Sequence, residues 1–287
     1  MVRGMKSWRG TDFSRLRRLV YRIRTGQIFL LMFPELAYPS LRRHYIRLLR
    51  KLADRKKPFV LQIENGGLGD HIAYCGLPEA VFNKYGLKMQ ISEQSKFNNP
   101  EIKEFVWSKN PFTAFTPEPG IKIFVQNVKR FSNYNEMLFD LLDLNGPNVR
   151  LYYQPRLRSE LSQKIVCDFS AGRSSRYYAY SQNDFRRAIL NILQSEFSMD
   201  GLVLLCPVSK YPDLSLVRFI QSELNLPILY YHSLPELADI LFSALNRVLL
   251  DSGAKSLAAA YHKSSTVLVR GYTNTAFHYP ELNIVRI

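Results

Sequence analysis

The sequence predicts an α/β protein with two Rossmann-like parallel-sheet domains behind a basic helical N-terminal arm. Three observations predict it. From Phe59 onward, short β-prone runs alternate with helical patterns, the signature of parallel strands joined by crossover helices. Several of those runs are apolar throughout, as strands are when both sheet faces are covered. Net charge is concentrated at one end: residues 1–57 hold 16 Lys and Arg against 3 Asp and Glu, a net of +13 out of the chain's +15.

The arm comes first. Its segments "SRLRRLVYRIRTG" and "SLRRHYIRLLRKLADRKK" read as two basic amphipathic helices. Leu16, Leu19, Val20 and Ile23 share one face, and Tyr45, Leu48, Leu49 and Leu52 share another. Between them lies "IFLLMF" (28–33), closed by Pro34 and Glu35. A membrane span needs about 20 apolar residues, and a signal peptide needs a longer apolar region with a small-residue cleavage site. Both are excluded on this reading. Such helices suit an anionic membrane surface or an acidic partner. Equally, they suit packing on the following domain with their arginines solvated. Nucleic acid is not expected, because no recognition motif accompanies the charge.

The first α/β domain is read over 58–158, with strands "FVLQIEN" (59–65), "LKMQIS" (87–92), "IKIFVQ" (121–126) and "VRLYYQ" (149–154). The second, over 159–287, holds "KIVCDFS" (164–170), "GLVLLCP" (201–207), "PILYYH" (227–232), "RVLLDSG" (247–253) and "TVLVRG" (266–271). Helical stretches fall near 71–85, 133–144, 182–197, 213–224, 234–246 and 254–262. The break "YYQPRLRSE" (152–160) joins the two series. A cleft is expected between the carboxyl ends of the two sets of strands, where open α/β sheets bind ligands. Three scattered cysteines and five scattered histidines show no metal-ligand spacing. The cysteine usage points to a reducing, cytosolic compartment.

Three stretches carry possible chemistry. In "ENGGLGDHIAYCGLPEAVFNKYG" (64–86), Gly66, Gly67 and Gly69 allow close approach of a ligand but do not fit the dinucleotide fingerprint. Asp70 is expected at or next to the N-cap of a helix starting near His71. It serves there as a cap, or as a general base if it reaches a substrate hydroxyl. In "DSGAKSLAAAYHK" (251–263), a strand ends at Asp251 and a Ser-Gly turn opens an alanine-rich helix. Its amides over Gly253–Ser256, with Lys255 beside them, suit a phosphate. The plain alternative is ordinary Asp-Ser-Gly turn chemistry. The helix before it, "SLPELADILFSALN", has Ser233 as N-cap and Glu236 as capping-box partner. In "CDFSAGRSSRYYAYSQNDF" (167–185), Arg173 and Arg176 either clamp a diphosphate or sit in a solvent loop.

Taken in order, these stretches resemble glycosyltransferase family nine, the ADP-heptose:lipopolysaccharide heptosyltransferases. The family has a G-x-x-G-D turn before a helix with a proline eight residues on; Asp70 and Pro78 keep that spacing. "SLPELADILFSALNRVLLDSGAKSLAAAYHKSSTVLVRG" resembles the family's donor region, where a DSG or DTG turn opens an Ala-rich helix. "SAGRSSRYY" stands where the family has a basic interdomain loop. The resemblance covers roughly 58–90 and 164–271. It implies a GT-B fold, with Asp70 as catalytic base and Asp251 holding donor sugar hydroxyls. Ser252, Gly253, Ala254, Lys255 and Ser256 would form the diphosphate turn, and Arg173 and Arg176 would lie by the donor phosphates. Gly66, Gly67, Gly69 and His71 would form the acceptor-side loop. Ser256 stands where the family usually has a histidine, which weighs against heptose as donor.

The implied reaction is an inverting sugar transfer from a nucleotide-diphosphate sugar to a saccharide or glycolipid acceptor. It needs no cofactor and no metal, and it takes place in the cytoplasm or at the inner membrane face. Two rivals stand beside it: a non-catalytic GT-B-like module binding a nucleotide sugar, saccharide or partner, and a nucleic-acid-modifying enzyme using the arm.

Overall fold

The computed structural model describes residues 34–123, 131–146, 148–170, 183–208, 214–269 and 279–287. Helix α1 (Pro34–Asp54) precedes an N-terminal α/β half. That half contains β1 (Phe59–Leu61), α2 (Leu68–Tyr74), α3 (Leu77–Tyr85), β2 (Met89–Ser92), β3 (Thr113–Thr116) and α4 (Tyr134–Leu141). The C-terminal half runs β4 (Ile165–Asp168), α5 (Asn183–Glu196), β5 (Leu202–Pro207), α6 (Ser215–Leu224), β6 (Ile228–Tyr231) and α7 (Leu234–Ser243). It continues with β7 (Asn246–Leu250), α8 (Gly253–Ala260), β8 (Ser265–Val269) and β9 (Leu282–Arg286).

Both sheets are parallel. The first has the order β1-β2-β3, and the second β6-β5-β4-β7-β8-β9. Numbered within its own half, the second reads 3-2-1-4-5-6, the doubly wound Rossmann order. Its topological switch point lies between β4 and β7, which pair in register from Ile165↔Asn246 to Asp168↔Leu249. One core cluster, with Cys167, Phe185, Leu204, Val248 and Leu250, packs under α5 and α6. The other, with Val166, Leu205 and Leu249, lies under α7 and α8. Burial on both faces is why these strands are mostly apolar, with Asp168 and Arg247 as buried exceptions.

The second core does not stop at the half boundary. It runs from Leu237, Ile240, Leu257 and Ala258 into Phe59, Ile72, Leu77, Trp107 and Leu138 of the N-terminal half. Polar ties reinforce it. Glu101 Oε2 accepts from the Leu234 amide at 2.8 Å, capping α7 from across the junction. Asp239 Oδ1 accepts from the Tyr153 hydroxyl and the Arg156 amide, both at 2.8 Å.

Several local expectations are corrected. The single helix expected over 71–85 is two, because Pro78 lacks an amide donor and is accommodated only in the first turn of a new helix. Helix α3 then stops at Gly86, whose φ of 66° is a left-handed cap. "VRLYYQ" is not a strand, and of "IKIFVQ" only Ile121 bridges Leu61, with 124–130 outside the described residues. Strands β3 and β9 and a π-helical turn at Lys103–Ser108 were not expected. The capping pattern of "SLPE" holds in one direction: Ser233 accepts from the Glu236 amide at 3.2 Å, while Glu236 turns back to the His232 amide at 2.7 Å.

The arm's described helix is part of the N-terminal half. Tyr38, Tyr45 and Leu49 of α1 are buried, the Tyr38 hydroxyl donates to the Met137 carbonyl at 3.0 Å, and Arg42 pairs with Asp140 and Asp143. The helix expected around 14–26 lies outside the described residues.

Candidate functional site

The loop leaving β1 is fastened to the loop leaving β2. The Lys96 amide donates to Ile63 O and the Asn98 amide to Gly66 O, each at 2.9 Å. Gly66 therefore lies flat against Asn98. This fastening delivers the chain to Gly67, the N-cap of α2, in an extended conformation. Asp70 is thus not the cap residue but the third residue of the helix. Its Oδ2 reaches back to accept from the Gly67 amide at 3.1 Å. A side chain at 67 would put its Cβ 2.8 Å from that oxygen, so the Asp70 carboxylate would have to shift to admit it. Half-burial raises the Asp70 pKa above the ordinary carboxylate value, and the Gly67 amide and the Asn65 side chain partly restrain the rise.

His71 does not belong to this loop's open side. It is fully buried, stacked on Phe97 at 4.6 Å, with Nε2 against the Lys96 carbonyl at 2.8 Å. Its Nδ1 accepts from the Trp107 indole at 2.9 Å. Burial lowers its pKa to about 4, so it is a neutral core histidine with both nitrogens occupied.

At the end of β7 the chain turns through Asp251 into α8. Ser252 is the N-cap, and its hydroxyl accepts from the Ala254 amide at 3.3 Å. Lys255 does not extend to solvent: its side chain is 2% exposed and ion-pairs with Asp251 one turn back. Burial lowers its pKa, and Asp251 opposes that shift. The free cation expected beside the diphosphate turn is therefore spent within the turn itself. Ser256 is fully buried, as is most of Tyr279 from the C-terminal segment, and among the described residues neither hydroxyl has a hydrogen-bond partner of ordinary geometry.

The structure brings the first turn of α2 against the first turn of α8. A Cβ built on Gly253 would lie 2.9 Å from Leu68 Cβ, and one on Gly69 would lie 3.1 Å from Ser256 Oγ. Two helix N-termini thus meet at the carboxyl end of β7, beside the switch point. Their partial positive charges are offset by Asp70 on one helix and Asp251 before the other. The close approach makes a prediction. Gly253→Ala gains at most about 1 kcal/mol of helix propensity. Overpacking against a Cβ that cannot swing away costs about 1–3 kcal/mol. The guanidinium midpoint is expected to fall, and a midpoint at or above wild type would show that the helices have room to part.

A residue the sequence reading passed over is Asp168, at the end of β4 across the switch point. It is buried, its Oδ1 accepts from the Ser170 amide (2.9 Å) and hydroxyl (2.6 Å), and burial raises its pKa to about 6. Its signal was its position: carboxyl strand ends at a switch point are where such sheets present polar groups. Arg173 and Arg176 lie outside the described residues.

No family model and no curated protein matches this chain. Solved structures do. The heptosyltransferase TibC from enterotoxigenic E. coli superposes with a TM-score of 0.54 at 13–14% identity, over 79% of this chain and 62–64% of TibC. In one of its two structures TibC carries ADP-D-β-D-heptose. The chain therefore spans less than two thirds of TibC's length. A glycosyl transferase family 9 protein from Veillonella parvula superposes with a TM-score of 0.53 at 10% identity, over 80% of this chain and 86% of the other. The fold is GT-B-like, of the kind found in the family 9 glycosyltransferases.

Proposed function

We propose that this protein is a glycosyltransferase that moves a sugar, with inversion and without a metal, from a nucleotide-diphosphate sugar to a saccharide or glycolipid acceptor. The observation that carries the reading is the meeting of the Asp70 turn with the Asp251–Gly253 turn beside the switch point of a GT-B-like fold. Asp70 would take the proton from the acceptor hydroxyl as its oxygen attacks the anomeric carbon. Asp251 would hold donor hydroxyls. The start of α8 would stabilise the negative charge of the leaving nucleoside diphosphate, with Arg173 and Arg176 near it. Lys255 would act through Asp251, fixing its carboxylate. The work would be done in the cytoplasm, at or near the inner membrane face.

A thermal-shift screen of nucleoside diphosphates and nucleotide sugars tests it. At a hundredfold excess over Kd, a ligand of the folded state adds about 2.7 kcal/mol, a rise of about 5 °C for a chain this long. No shift with any of them would remove the donor assignment.

One observation favours a second reading, a non-catalytic module of the same fold. Lys255 is consumed by Asp251, and Ser252 takes the Ala254 amide, so part of the turn's polarity is satisfied internally. Donor turnover by wild type but not by Asp70→Asn separates the two.

A further inference from the structure

Helix α1 uses one face completely. Tyr38, Tyr45 and Leu49 are buried, with Leu41, Leu48 and Leu52 packed beside them, and the half-buried Ile46 borders the outer face. The opposite face is cationic. Arg43, Arg47, Arg50 and Lys51 are exposed; the exposed Asp54 ends the row, and the exposed Arg55, Lys56 and Lys57 follow it. Arg43 and Lys51 are eight residues apart, about 12 Å along the axis. Arg43, Arg47 and Arg50 follow the i, i+4, i+7 row, and none of the three makes an ion pair among the described residues. Arg42, on the inner flank, is by contrast neutralised by Asp140 and Asp143.

We propose that this exposed row of α1 docks the protein on a bilayer surface of anionic phospholipid headgroups, by charge alone and without insertion of α1. A row of guanidinium groups facing outward matches a plane of phosphates. The exposed face carries no Phe, Tyr or Trp on which a nucleic-acid base would stack. The sequence ahead of α1 is of the same character, with eight Lys and Arg, one Asp and the apolar run 28–33, a mixture of charge and apolar side chains that suits a lipid interface. No described helix is long and apolar enough to cross a membrane. Because α1 packs on the half that carries Asp70, docking would set that half toward the bilayer. The proposal stands on the charge and packing of α1 and holds whether or not the interdomain turns transfer sugar.

Cosedimentation of the full chain with vesicles tests it. Binding is expected to vesicles of 30% phosphatidylglycerol in phosphatidylcholine at low salt, not to phosphatidylcholine alone, and is expected to be lost at high salt. The triple variant R43Q/R47Q/R50Q should keep the wild-type melting temperature and any nucleotide-induced shift, yet bind about a hundredfold more weakly, with each single variant about fivefold weaker. Equal binding to neutral vesicles, wild-type binding by the triple variant, or tighter binding to duplex DNA or RNA than to the anionic vesicles would each overturn it.

Discussion

Asp70→Asn is expected to lower kcat/KM for sugar transfer by about 10²–10⁴-fold, the usual contribution of a positioned general base. The substitution isolates chemistry from folding. An asparagine oxygen still accepts from the Gly67 amide, so the first turn of α2 keeps its reach-back bond. The melting temperature should stay close to wild type. The pH dependence sharpens the test. Burial raises the Asp70 pKa above the ordinary value, and only the ionised form can take a proton. The wild-type rate should therefore decline as pH falls through that raised pKa, at a pH above the range of an ordinary carboxylate of about 4. The residual rate of the variant should lack this limb. Donor turnover at the wild-type rate in Asp70→Asn would remove Asp70 from the chemistry. Nucleotide binding with no turnover in wild type, whatever the acceptor offered, would assign the protein to the binding reading.

What the sequence showed of this site depended on whether the deciding contact was local. The central C-terminal strands were legible because burial on both faces favours apolar residues, as in Leu202–Pro207. Edge strand β9 was not. Its residues Leu282–Arg286 are partly or wholly exposed, so its mixed polarity carries no period that sets it apart from a loop. The position of Asp70 was misjudged because the cap is Gly67, which has no side chain to announce it. His71, placed in the acceptor-side loop by the resemblance, is buried instead. The groups that occupy its ring are the Trp107 indole, 36 residues away, and the Lys96 carbonyl, 25 away. The convergence of the Asp70 and Asp251 turns came from the ordered resemblance of distant motifs. No local pattern could report that Gly69 and Gly253 are small because each faces the other helix.

Lys255 is the instructive case, and it yields the second large effect. Asp251→Asn is expected to destabilise the fold by about 3–5 kcal/mol, the cost of breaking a buried ion pair from one side. Lys255 would be left as a charge whose side chain is 2% exposed. Its pKa is already lowered by burial and held up by Asp251, so losing the carboxylate lowers it further. Between that folded value and the unfolded value of about 10.4, the unfolded chain binds more protons, and stability rises with pH. The deficit of the variant should therefore be complete below the folded pKa of Lys255 and shrink as pH approaches 10. A pH-independent deficit would show that Lys255 is not the stranded group. Asp251→Asn combined with Lys255→Met removes both charges and should recover most of the loss, a strong positive coupling in a double-mutant cycle. The double variant also separates the two roles assigned to Asp251. If it regains stability but shows no shift with any nucleotide sugar that stabilises wild type, the carboxylate serves the donor as well as the lysine. If the shift returns with stability, Asp251 is part of the scaffold alone, and the donor must be held by the amides that open α8.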